Sequence, residues 1–193
     1  MKTLLAISLT LLLFTVSACK NDDTPDPGDK DIFTIRLDQG EFLSPILPDG
    51  TFEAAVRFES SVLGDAAGGK LYAADVYIFE IPQNLFVKIY RGSEADSPRT
   101  LVHQQDVTLG REARAWNTIA LDDSIDVPEG EDLWISMQFQ QNAQGQTIGC
   151  DVGPAVTNGD WFYDNAVNQW VTYREATNNG TDINWNIRGK VAK

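Results

Sequence analysis

The sequence is poor in the residues on which most catalytic and nucleic-acid chemistry depends. Its 193 residues include one histidine, two cysteines, and 15 Lys and Arg against 28 Asp and Glu, for a formal charge of −13. Such an acidic chain does not suit nucleic acid, whose phosphates need clustered Lys and Arg, nor docking on an anionic lipid surface by charge alone. Two cysteines exclude a disulfide-rich scaffold, and one histidine with so few thiols leaves a tetrahedral zinc shell unfilled. Gly-x-Ser-x-Gly elbows and Gly-rich phosphate loops are missing. The lone His103 stands in a strand-like run beside Gln104 and Gln105, so it reads as an exposed strand residue rather than the base of a triad. The sequence therefore predicts a protein that is not an enzyme.

The longest apolar run is at the start. Lys2 precedes Leu4 to Val16, which only Ser8, Thr10 and Thr15 interrupt, and the small Ser17 and Ala18 follow. This is the layout of a secretory signal peptide over residues 1–18, too short for a comfortable membrane span. Val16-Ser17-Ala18-Cys19 resembles a bacterial lipobox, which predicts lipidation of Cys19 and a membrane anchor through its acyl chains. An ordinary signal peptide with a cysteine nearby is the alternative. Residues 19–30 then carry the lipidated Cys and an acidic stretch without apolar residues, a flexible tether. A basic residue followed by acidic ones after such a cysteine looks like the export signal of Bacteroidetes surface lipoproteins. The expected location is the outer membrane, lipid-anchored and surface-exposed, with a periplasm-facing anchor as the alternative.

Residues 31–193 have the pattern of an all-β domain. Candidate strands are Ile32–Leu37, Phe52–Phe58, Lys70–Glu80, Leu85–Tyr90, Thr100–Thr108, Ala115–Leu121, Asp132–Phe139, Asp160–Asp164, Gln169–Tyr173 and Ile183–Val191. Alternation is clearest where Leu133, Ile135, Met137 and Phe139 share one face and Trp134, Ser136 and Gln138 the other. Turn residues such as Pro48-Asp49-Gly50 and Pro128-Glu129-Gly130 fill the gaps. Glu59 to Ala67, closed by Gly68-Gly69, predicts one or two helical turns. Many short strands with regular turns predict a β-sandwich of jelly-roll type, with a barrel as the alternative. Gln140 to Gly159 reads as a long functional loop.

All five Trp lie after residue 115, and Trp161, Tyr163, Trp170 and Tyr173 cluster in a polar, Asn-rich stretch. Exposed, these rings form a platform for a sugar face or a protein partner; buried, they fill the sandwich core. Asp38, Asp151, Asp160 and Asp182 fall in loops or at strand edges and are candidate ligands for a structural Ca²⁺, although no local run has the spacing of a calcium loop. Cys150, beside Asp151, reads as a buried free thiol. Asn179-Gly180-Thr181 fits a glycosylation sequon.

Six segments in order carry a family resemblance: Phe52–Phe58, Phe86–Gly92, Ala115–Thr118, Glu131–Ile135, Gly149–Val156 and Asn184–Arg188. They are similar to the jelly-roll domains of Bacteroidetes surface proteins, the cleaved adhesin domains of gingipain and hemagglutinin proteins. The resemblance implies a β-sandwich, commonly calcium-stabilised, with an adhesive or accessory role and no catalytic residues of its own. Such domains are usually appended to proteases or large adhesins, whereas this one stands on a lipid anchor. The expected function is an adhesive module for host or matrix protein or for glycan, contacted through residues 140–159 and the Trp161–Tyr173 aromatics. The alternative is an accessory component of an outer-membrane complex without a soluble ligand.

Overall fold

The computed structural model describes residues 31–193 except 41, 166 and 179. The signal peptide, Cys19, the tether and Asn179 of the sequon lie outside the described residues. The chain forms β1 (Ile32–Ile35), β2 (Gly50–Phe58), α1 (Ser60–Leu63) with a 3₁₀ turn (Gly64–Ala66), β3 (Lys70–Ile78), β4 (Asn84–Glu94), β5 (Ser97–Asp106), β6 (Ala115–Asp126), β7 (Leu133–Gln141), β8 (Cys150–Asp151), β9 (Trp161–Asp164), β10 (Gln169–Thr172), α2 (Tyr173–Ala176), β11 (Asn184–Trp185) and β12 (Ile187–Ala192).

These strands make a jelly-roll β-sandwich. A four-stranded sheet in the order β1-β12-β3-β6 faces a six-stranded sheet in the order β10-β9-β2-β7-β4-β5, and β11 pairs with β8 in a small third sheet. Every strand pairing is antiparallel. The alternation in the sequence sets the inner face, since strand side chains point to opposite faces with a period of two. Val56 and Phe58 of β2, Ile135 and Met137 of β7, and Val87 and Ile89 of β4 meet Leu71, Val76 and Ile187 of the other sheet in one buried core. Gly189 lets the sheets approach. A Cβ there would stand 2.7 Å from Ile135 Cδ1 and 2.8 Å from Leu71 Cδ1.

Three expectations change. Tyr173 ends no strand: Thr172 caps α2 instead, its Oγ1 accepting from the Glu175 amide while the Glu175 carboxylate accepts from the Thr172 amide. The run Ile183–Val191 divides at Asn186, its two halves joining different sheets. Residues 140–159 are not a free loop. Leu43 and Cys150 exchange backbone hydrogen bonds at 2.8 Å, Leu47 and Gly145 do so at 2.9 and 3.0 Å, and Phe79 donates to the Thr147 carbonyl at 2.8 Å. The segment is apolar enough at Ile148 and Cys150 to close the end of the core.

Candidate binding site

The outward side chains of the six-stranded sheet align in cross-strand rows. One row runs Trp170, Tyr163, Glu53, Gln138; the next Thr172, Trp161, Ala55, Ser136, Lys88; the third Arg57, Trp134, Tyr90. An outer face is ordinarily solvated, yet Ala55, Trp134 and Ser136 have no exposed surface and Trp161 and Glu53 are each 6% exposed. The aromatic rings cover one another. Trp134 meets Trp161 at 5.2 Å and Trp170 at 5.7 Å, and Trp170 reaches Tyr90 at 6.5 Å. This is a second hydrophobic cluster, on the opposite side of the sheet from the core.

Two polar networks sit under these rings. The Glu53 carboxylate accepts from Lys88 Nζ at 2.8 Å, from the Tyr90 hydroxyl at 2.7 Å and from the Ser136 hydroxyl. Burial and then the Glu53 charge push the Tyr90 hydroxyl far above its ordinary pKa, so it stays protonated and keeps donating. In the other network Arg57 holds Asp132 at 2.8 Å, Ser93 Oγ donates to Asp132 at 2.6 Å, and Trp134 Nε1 donates to Ser93 at 3.0 Å. Burial works against the Asp132 carboxylate, but Ser93, Arg57 and the Ser60 amide outweigh it and hold the pKa below the ordinary value. Both carboxylates are thus engaged in fixing the aromatic floor.

Above this floor lies an open cleft of about 830 Å³, between the β4–β5 hairpin tip and the β10–α2 edge. Trp170 and Tyr163 present partly exposed rings to it, beside the amides of Asn158, Asn168 and Gln169. Tyr163 donates to Asn168 Oδ1 at 2.6 Å, and Trp161 donates to Asn158 Oδ1 at 3.1 Å.

Of the four aromatics expected to contact ligand, Trp170 and Tyr163 line the cleft with accessible rings. Trp161 lines it but is largely buried. Tyr173 points into the sandwich core, 5.6 Å from Phe162 and 5.4 Å from Trp185. From residues 140–159, only Thr157 and Asn158 reach the cleft. The four candidate calcium ligands do not gather. Asp38 is bound to Arg188, Asp182 to Arg174, and Asp160 accepts from the Arg174 amide. Asp151 takes four N–H donors, from Gln39, Gly153 and twice from Asn184. Calcium would have to displace these donors, and among the described residues no three His, Cys, Asp or Glu side chains come together, so this arrangement does not fit a carboxylate cage. His103 Nε2 lies 3.2 Å from Gln105 Oε1 on β5. Cys150 is buried, and burial followed by the Asp151 charge pushes its thiol up to about 12.

Sequence reasoning missed the contribution of Arg57, Trp134 and the hairpin tip. The signal for Trp134 was present, because alternation puts it on the face opposite Leu133 and Ile135, but its row across three strands is visible only in the register.

No family model matches the sequence, and no curated protein matches it significantly. The fold is similar to the solved structure of the cysteine protease and lectin-like domains of Cwp84, a surface layer associated protein of Clostridium difficile. The TM-score is 0.56 at 10% identity, covering 84% of this chain and 36% of that one. A second structure, of the clostridial cysteine protease Cwp84 after propeptide cleavage, matches with a TM-score of 0.55 at 11% identity over 86% of this chain and 40% of the other. The chain therefore spans well under half the length of these proteins, and at such identities the likeness is one of fold.

Proposed function

We propose that this chain is a non-catalytic binding module of the cell surface, anchored through Cys19, that takes glycan in the cleft above Trp170 and Tyr163. One observation carries the reading: partly exposed aromatic rings and three side-chain amides converge on one cleft. An aromatic face matches the apolar face of a sugar ring, and an amide offers both donor and acceptor to neighbouring hydroxyls. The fold likeness to a structure that includes a lectin-like domain of a surface layer associated protein agrees with this reading. The adhesin-like resemblance and a Bacteroidetes outer-membrane setting belong to the same proposal.

The test is a glycan and matrix-protein array probed with residues 31–193, which hold every described element. Binding to glycan that disappears in Trp170→Ala, with the melting curve still cooperative, is the expected result. Retention of wild-type binding by that variant sinks the cleft as the site. For the anchor, a fatty-acid analogue should label the wild type and not Cys19→Ala.

A second reading draws on a different surface. Phe42, Leu43 and Ile46 are 46%, 49% and 62% exposed on the strap before β2. An apolar strap of this kind suits a protein contact, as in an accessory subunit of a membrane complex or an adhesin for host protein. Co-purification of partners that survives Trp170→Ala and is lost on Phe42→Ser with Ile46→Ser would favour it.

A further inference from the structure

Trp170 and its cross-strand partner Tyr163 border more than the large cleft. The same two rings line a second depression of about 280 Å³, whose other walls include Glu53, Lys88, Gln138 and Asn165. Trp170 is therefore a ridge with a hollow on each side.

The two hollows differ in charge. In the smaller one the ammonium and carboxylate are already paired, Lys88 at 12% and Glu53 at 7% side-chain exposure, so the surface is polar with no net charge. The larger one is rimmed by carboxylates. Glu94 and Asp96 stand exposed at the hairpin tip, and Glu175 stands in the first turn of α2. Among the described residues that line it the one cation, Arg57, is bound to Asp132.

We infer, building on the glycan reading above, that the groove takes an uncharged glycan chain laid across Trp170, with one subsite in each hollow, and that the rim carboxylates turn away chains bearing uronate or sulfate. A ligand confined to one hollow uses one face of the ridge; a longer chain uses both, so affinity rises with chain length until both are filled. Repulsion between the exposed rim and an anionic chain acts through solvent over roughly 8 Å at physiological ionic strength, so it weakens with salt.

The experiment is calorimetric titration of the full chain with neutral oligosaccharides of glucose, mannose, galactose and N-acetylglucosamine of increasing length, and with sulfated forms of the same oligosaccharides. For the sugar that binds, a chain long enough to cross the ridge should bind about tenfold tighter than its disaccharide. Gln138→Ala, which alters the small hollow alone, should abolish that gain, whereas Trp170→Ala should abolish binding of both the longer chain and the disaccharide. The sulfated form should bind about tenfold more weakly at low salt. That gap should close at high salt and in the double variant Glu94→Gln with Asp96→Asn. Sulfated chains that bind as tightly as neutral ones at low salt, or affinity that does not rise beyond the disaccharide, overturn this inference and leave the glycan reading standing. No binding of any oligosaccharide, neutral or sulfated, overturns both.

Discussion

Trp170 lies edge to face against Trp134, their ring centroids 5.7 Å apart, although β9 and β2 stand between their strands. Adjacent strands are about 4.8 Å apart, so the two side chains lean toward each other across the intervening strands. This posture turns an outer face into a covered floor and leaves the Trp170 ring bordering a hollow on either side.

Removing that ring should cost stability as well as binding. A buried Trp truncated to Ala loses about 3–5 kcal/mol; Trp170 is only partly buried, so Trp170→Ala should lose about 2 kcal/mol in urea unfolding. The emission of Trp134, now wetted, should shift to the red. An unshifted spectrum would show that another group covers Trp134.

Glu53 and Lys88 form a nearly dry pair on the same face. Glu53→Ala strands the Lys88 ammonium and should cost about 3–5 kcal/mol. Adding Lys88→Met should recover more than half of that loss. A double-mutant cycle showing simple additivity would mean that the pair is not coupled.

The Asp132 carboxylate has its pKa held below the ordinary Asp value of 3.8 in the folded chain. Its contribution is therefore present above pH 3.8 and is lost as the pH falls through the lowered folded value. In Asp132→Asn the stability at neutral pH should drop and the slope of the acid limb should flatten, as read from denaturation at a series of pH values.

Cys150 behaves in the opposite sense. Its folded pKa of about 12 stands above the ordinary thiol value of 9.0. Its contribution is complete below pH 9.0 and declines as the unfolded thiol ionises first, up to the folded value. Iodoacetamide should leave the native thiol unlabelled at pH 8 and label it promptly in urea. Rapid native labelling would contradict the burial.

At Gly189 the two sheets press together, and a methyl group would meet Ile135, Leu71 and the Ile35 side chain, the last at 2.9 Å. Gly189→Ala should destabilise by about 1–3 kcal/mol through overpacking. Paired with Ile135→Val, which frees a methyl's space at the same point, it should lose less than the sum of the two changes.

Much of the sandwich is legible in the sequence because alternation and turn residues are local signals. Leu133 to Phe139 declares its inner face, and Glu59 to Ala67 with Gly68-Gly69 declares its short helical break. Residues 140–159 read as a loop because their pairings are backbone bonds to Leu43, Leu47 and Tyr77, far away in the chain. The site is less legible for the same reason. Trp170 and Tyr163 are neighbours across a tight hairpin and were expected together, but Trp134, Glu53 and Lys88 join them through three different strands. Tyr173 fails as a surface residue because the Thr172–Glu175 capping box turns the chain there and sends the phenol inward.

β1 and the groove lie on opposite sides of the sandwich. The strand is at the edge of the four-stranded sheet, whereas the groove lies on the outer face of the six-stranded sheet across the core. On the proposal that the chain is anchored through Cys19, the attachment would enter at the sheet opposite the groove. Many copies held this way on one membrane would present their sites in parallel to a repetitive polymer. Under that proposal individually weak contacts would combine through effective concentration, so that avidity across the array, more than the strength of any one site, would decide whether the surface holds its target.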